Sequence, residues 1–189
     1  VSTTTETQET ILAAARLMVQ ARGYNSLSFR DLAKEVGIKS ASIYYYYPSK
    51  GGLGAALARR YGDDLVAYLT ELRATTKDWK ACIASYTEVF RNTLLRGNRM
   101  CLCGILAAER EDLAPEVTAE VERFNALNVQ WLSEVLASGK PKMAADDVRQ
   151  WALAVLAAVE GAQLVARGSG DVAVFDQVLA GYRVAGLLP

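Results

Sequence analysis

Four consecutive tyrosines, Tyr44-Tyr45-Tyr46-Tyr47, run into Pro48-Ser49-Lys50 in this 189-residue chain. A tyrosine hydroxyl can donate to a phosphate oxygen, and its ring can lie against a thymine methyl. Such a cluster therefore suits the major groove of DNA. On a helix, Ile43 and Tyr47 are four apart and share the face that can meet Leu32 and Val36 in a small core. Tyr44, Tyr45 and Tyr46 are then spread over the remaining surface. The alternative is aromatic filling of a three-helix core, and Tyr47 is read that way. The other reactive types are three cysteines, Cys82, Cys101 and Cys103. A disulfide between Cys101 and Cys103 would be strained at that separation. Either they are small buried hydrophobes, or they sense an electrophile or oxidant, with Arg99 two residues earlier to favour a thiolate.

The chain has no histidine, which excludes Ser-His and Cys-His catalytic sets and every His-ligated metal site. No cofactor or metal is expected, and no enzyme of the common kinds. An odd cysteine count is no disulfide framework and suggests a reducing cytosol. Val1 to Glu9 is polar, with no charged start and apolar core of a signal peptide. The apolar stretch 151–166 carries Glu160 and Gln163 and is short for a bilayer. A soluble, cytoplasmic protein without a membrane partner is the expectation. Lys+Arg and Asp+Glu number 21 each, so the formal net charge is +0. Residues 1–60 nevertheless hold eight basic residues against four acids, a local +4 that leaves −4 for the rest. A basic head on an acidic body is the asymmetry expected of a nucleic-acid binder.

Helical periodicity dominates the elements that must carry these residues, and almost no stretch alternates with strand period. Ile11, Ala15, Met18 and Val19 define a first helix that stops at Gly23. Ser28-Phe29-Arg30-Asp31 reads as a capping box before Leu32, Ala33 and Val36, with Gly37 closing that helix. A third, short helix starts near Lys39–Ser40 and ends by Pro48, and Ser49 can cap a fourth from Gly51 to about Ala74. Further helices are read over 79–96, roughly 102–111, 115–136, 145–167 and 171–185. The fold class is all-α, with about nine helices: a three-helix helix-turn-helix head (1–50) on a larger helical body (51–189).

The stretch from Leu32 to Leu53 resembles the signature of the TetR family of transcriptional repressors. The likeness lies in Val36-Gly37-Ile38, then Ile43-Tyr44, a further aromatic, Lys50 and Leu53, about a dozen positions in order. The resemblance implies that Lys39 to Tyr46 form the recognition helix and its approach. Ser40, Ala41, Ser42 and Tyr45 would face base edges, with Arg30 reaching a base from the second helix. Ser28, Tyr44, Tyr46 and Lys50 would contact phosphates. Two positions depart from the family pattern. Tyr46 stands where His is frequent, and Gly51-Gly52 stand where an acid usually follows the lysine, which predicts a weak first turn of the fourth helix.

The body carries two aromatic stripes: Val117, Val121, Phe124, Trp131 and Val135, interrupted by Asn128, and Trp79, Tyr86 and Phe90. Ordinary core is one reading. A buried Asn also needs a partner, and a bound ligand is one candidate. The family places an inducer pocket among such helices, so the resemblance assigns a pocket to Tyr86, Phe90, Phe124, Asn128, Trp131 and Trp151, with an apolar or aromatic inducer. Glu160 is left open between an interface and a pocket role. The last two helices hold more apolar surface than one face can bury, including Ala152, Ala154, Ala157, Ala158, Gly161 and Ala162. They predict a two-fold four-helix interface and a homodimer. Two recognition helices about 34 Å apart would then match a palindromic double-stranded DNA operator. The resemblance implies a repressor released when ligand shifts the fourth helix and respaces the heads. A helical enzyme or carrier, or a head that binds protein, are the rival classes.

Overall fold

The computed structural model describes residues Thr4–Pro189. Among them every regular element is helical: α1 (Thr4–Arg22), α2 (Phe29–Val36), α3 (Ser40–Tyr46), α4 (Lys50–Thr75), α5 (Trp79–Leu95), α6 (Leu102–Ala108), α7 (Pro115–Gly139), α8 (Ala145–Ser169) and α9 (Val172–Val184). A 3-10 turn, Arg110–Asp112, lies between α6 and α7. The helix read over 102–111 thus stops short, at Ala108. The chain forms two compact units. The first comprises the described residues up to Asp63 with Leu102–Phe124; the second comprises Asp64–Cys101 with Asn125–Pro189. Helix α4 crosses the boundary between them at Asp63 and α7 at Phe124.

In the first unit α1 turns Ile11, Leu12, Ala15 and Val19 inward and packs on α2 and α6. Ser28 Oγ accepts from Asp31 N at 3.1 Å and donates to the Asp31 carboxylate at 2.6 Å, which starts α2. That bond holds the exposed Asp31 carboxyl below its ordinary pKa. Gly37 ends the helix with φ 77, and the bonds Gly37 N to Lys34 O and Ile38 N to Ala33 O close a Schellman motif. That left-handed backbone is what glycine supplies at the turn of the helix-turn-helix. Ile43 and Tyr47 are buried beside fully buried Leu32, while Val36 keeps part of its surface in solvent.

The expected weakness at Gly51-Gly52 is offset by two contacts. Ser49 Oγ accepts from Gly52 N at 2.9 Å, and α4 begins at Lys50. A side chain on Gly51 would meet Ala114 Cβ at 2.9 Å and the Glu116 carboxylate, so glycine permits a close approach to the start of α7. The same pair of helix segments is fastened by Arg59, which grips Glu120 Oε1 through Nε and Nη2 at 2.8 and 2.5 Å, and by Arg123 on Asp63 at 2.5 Å.

In the second unit α8 packs on α9 and α5, and α5 touches α9. Asp78 caps α5 at 3.1 Å, Asp171 caps α9 at 2.8 Å, and Arg91 pairs with Asp176 at 2.8 and 3.0 Å. Among the described residues α8 alone is long and apolar enough to cross a membrane. Its buried face, which includes Val148, Ala152, Val155, Val159, Ala162 and Ala166, serves as core here.

Candidate functional site

Helix α3 has seven residues and no side-chain cap, so its position depends on packing against α2. Ile43 anchors it, and everything else on it is at least partly open. Tyr45 is 78% exposed and Tyr44 56%. Tyr44 leans on Phe29 of α2 with ring centroids 4.7 Å apart, and Tyr45 meets Tyr46 edge-on at 5.1 Å. Lys39, Ala41 and Arg30 are exposed, and Ser40, Ser42 and Tyr46 are half-buried on the same short segment. Burying Ile43 and Tyr47 leaves a rim of hydroxyls, one methyl and two cations facing outward. Such a surface can offer donors to phosphates and an apolar contact to a base edge.

Two of the residues assigned to phosphates also have structural work within the head. Ser28 is the α2 cap described above. Lys50 Nζ donates to Asn25 O at 3.1 Å and lies 4.7 Å from the Tyr24 ring centroid, while Tyr24 Oη donates to Lys50 O at 2.8 Å. Burial, and secondarily the charge of Glu116, push the Tyr24 hydroxyl up to about 12, so it remains a neutral donor.

Sequence reasoning missed what holds the α1–α2 loop. The Glu109 carboxylate accepts from Tyr24 N at 3.1 Å and Asn25 N at 2.8 Å, and Asp112 accepts from Asn25 Nδ2 at 2.6 Å. Glu109 is read locally as one more helix former; no short-range signal marks it, because its partners lie about 85 residues away. Removing the carboxylate in Glu109→Ala is expected to lower stability by about 1–3 kcal/mol, measured by urea unfolding, since two backbone donors lose a charged acceptor.

In the second unit Tyr86 is fully buried; its hydroxyl donates to Asn128 Oδ1 at 2.8 Å. Its ring stacks on Trp131 at 5.6 Å and meets Phe90 at 5.2 Å. Four of the six residues assigned to a pocket thus share one cluster. Asn128 has its polar partner in Tyr86, so its burial does not by itself call for a ligand. Trp151 is elsewhere: its ring lies 6.1 Å from Trp79, and its Nε1 donates to Leu187 O at 2.7 Å. Trp and Tyr sort here by which polar tip finds a partner, which hydrophobic periodicity does not encode. Phe124 belongs to the first unit, buried 5.6 Å from the Tyr61 ring.

Beside this cluster Gln163 accepts from Cys101 N at 2.6 Å and donates to Phe90 O at 2.8 Å. The Cys101 thiol hydrogen-bonds to Glu160. Its neighbour is therefore an acid, the opposite of the cationic setting that activates a thiol. All three cysteines are reduced, outside any disulfide, and at most 1% exposed. A thiol reagent is expected to modify none of them rapidly in the native protein and all three after denaturation, as followed by mass spectrometry.

A helix-turn-helix presenting a tyrosine face, joined to a larger all-helical body, defines a DNA-binding regulator by class. Residues 11–57 match the family of bacterial regulatory proteins, tetR family. The structure is similar to a TetR transcriptional regulator from Legionella pneumophila, at 31% identity over 94% of each chain with a TM-score of 0.85. It is equally similar to a TetR-family regulator from Agrobacterium tumefaciens, at 30% identity over 92% of this chain and 94% of the other, with a TM-score of 0.86. Reduced NemR of E. coli follows at 25% identity, 93% and 94% coverage and a TM-score of 0.80. None of the curated proteins matches. The chain belongs to the TetR family of transcriptional regulators, with the family's helix-turn-helix head on a helical body.

Proposed function

We propose that this protein is a cytoplasmic, ligand-responsive repressor that binds a palindromic operator as a homodimer and is released by a small-molecule inducer. The observation that carries the DNA reading is the exposure of Tyr44 and Tyr45 on a helix whose Ile43 is fully buried. Exposed aromatics in a fixed array are costly unless something covers them. The residues assigned to the operator are Arg30, Lys39, Ser40, Ala41, Ser42, Tyr44, Tyr45 and Tyr46, with Ser28 and Lys50 supporting the head and reaching phosphates.

A homodimer is supported by the outer face of the last two helices. Leu153, Ala157, Gly161 and Leu164 follow helical spacing along α8 on a side that α5 and α9 leave open, and Val165 and Val184 are exposed as well. An apolar stripe of that length suits a second copy, giving four helices about a two-fold axis. Ligand in the body would favour one of two arrangements of α4, and a few kcal/mol of differential affinity suffices.

The test is a mobility-shift assay with DNA from upstream of the protein's own gene. Phosphate contacts predict that raising salt from about 50 to 200 mM weakens binding by on the order of a thousandfold. Absence of any shift, or binding indifferent to salt, would sink the repressor reading in favour of a carrier or a protein-binding head. The rival sensor reading has both the acidic neighbour of Cys101 and the burial of Cys101 and Cys103 against it. Rapid native alkylation that releases DNA would decide for it.

A further inference from the structure

Among the described residues, one buried side-chain oxygen has no hydrogen-bond partner: Glu160 Oε2, on α8. The donors around it are directed elsewhere. Tyr86, which feels the Glu160 charge, gives its proton to Asn128 at 2.8 Å. The Gln163 amide, one turn along α8, donates to Phe90 O, and the Cys101 thiol hydrogen-bonds to Glu160 yet leaves Oε2 unmatched. The same neighbourhood holds the Tyr86 ring against those of Phe90 and Trp131. A carboxylate is an acceptor only, so what completes it must be a donor. Glu160 as a residue is part-buried, although its Oε2 is buried.

We propose that Glu160 is the polar anchor of an effector site in the second unit, and that its ligand is a small organic amine, a protonated nitrogen on an aromatic or apolar body. The assignment rests on the ligand-responsive reading above and narrows it from any apolar inducer to a cationic one. A charged nitrogen gives Oε2 a charge-assisted bond, roughly twice as strong as that from a neutral donor. Aromatic faces add attraction for a cation and none for an anion. Ligands carrying a carboxylate or phosphate are disfavoured at the ionised carboxylate, because they would set acceptor against acceptor at Oε2.

The experiment is isothermal titration of the ligand-free protein with benzylamine and phenethylamine, each paired with the alcohol of the same shape. Wild type is expected to bind the amines at least about tenfold more tightly than the alcohols. Glu160→Gln should lose that preference while keeping the alcohol affinity, and Tyr86→Phe should retain it. Equal binding of amines and alcohols, no binding of either, or a preference that survives in Glu160→Gln overturns the assignment. Should Glu160→Gln not fold, the wild-type comparison and Glu160→Asp, expected to weaken amines only, still decide it. An operator shift by the ligand-free protein is read separately. Intact operator binding without amine selectivity defeats this assignment alone, whereas loss of the shift defeats the repressor reading.

Discussion

Tyr45→Ala is expected to lower operator affinity by about 30-fold or more while changing stability by less than about 0.5 kcal/mol. The side chain is 78% exposed, and its ring meets that of Tyr46, so the folded head loses little. A base-edge contact contributes about 1–3 kcal/mol, and a dimer loses it twice, so the expected loss is at least about 2 kcal/mol. Tyr47→Ala gives the contrasting outcome. It empties a site that is 8% exposed and should cost about 3–5 kcal/mol of stability, removing DNA binding by unfolding the head. Tyr44→Ala lies between, because that ring also packs on Phe29. Paired mobility-shift and urea-unfolding curves separate the three. If Tyr45→Ala held the operator as tightly as wild type, α3 would not be the reading element. Tyr45→Phe then divides the loss into hydroxyl and ring.

Much of the head was legible because its determinants are local. The Ser28 cap, the left-handed Gly37 and the stop at Pro48 act within one turn of the residues they govern, and each appears in place. Ile43 and Tyr47 fall on the buried side by spacing alone. What escaped is decided across long separations. Glu109 looks like a helix residue, yet its carboxylate serves the α1–α2 loop, and the chain leaves helical geometry at Ala108. Gly51 reads as a weak helix start until the nearness of Ala114 is known. Asn128 looks like a polar interruption that needs a ligand, and a tyrosine 42 residues away fills the need. Trp151 shares its periodicity with the pocket residues but joins Trp79. Periodicity tells which face is buried; it does not tell which buried polar tip finds which partner.

Glu160 is where that limit bears most on function, and its energetic cost can be measured in ligand-free protein. Burial pushes its carboxyl up to about 7 from 4.5, with the Cys101 thiol pulling the other way. The titratable groups that face it are that thiol and the Tyr86 phenol, while the charged pair Arg91–Asp176 between α5 and α9 is satisfied internally. A folded-state pKa above the unfolded one means the neutral acid is favoured in the fold. The contribution of this group is therefore fully present below about pH 4.5 and is lost as pH rises toward 7. Above that it amounts to a penalty of about 3 kcal/mol. Glu160→Gln, which cannot ionise, should match wild type near pH 4, exceed it by about 1 kcal/mol at pH 5 and by about 3 kcal/mol at pH 8, a Tm gain of roughly 6–12 °C at the last. Parallel wild-type and Glu160→Gln curves from pH 5 to pH 8 would mean that the carboxylate is not desolvated. It would then have no orphaned charge to offer an amine. A divergence of the expected sign would show that the fold tolerates a destabilising charge at this one position, and a cationic ligand is the partner that would reverse the cost.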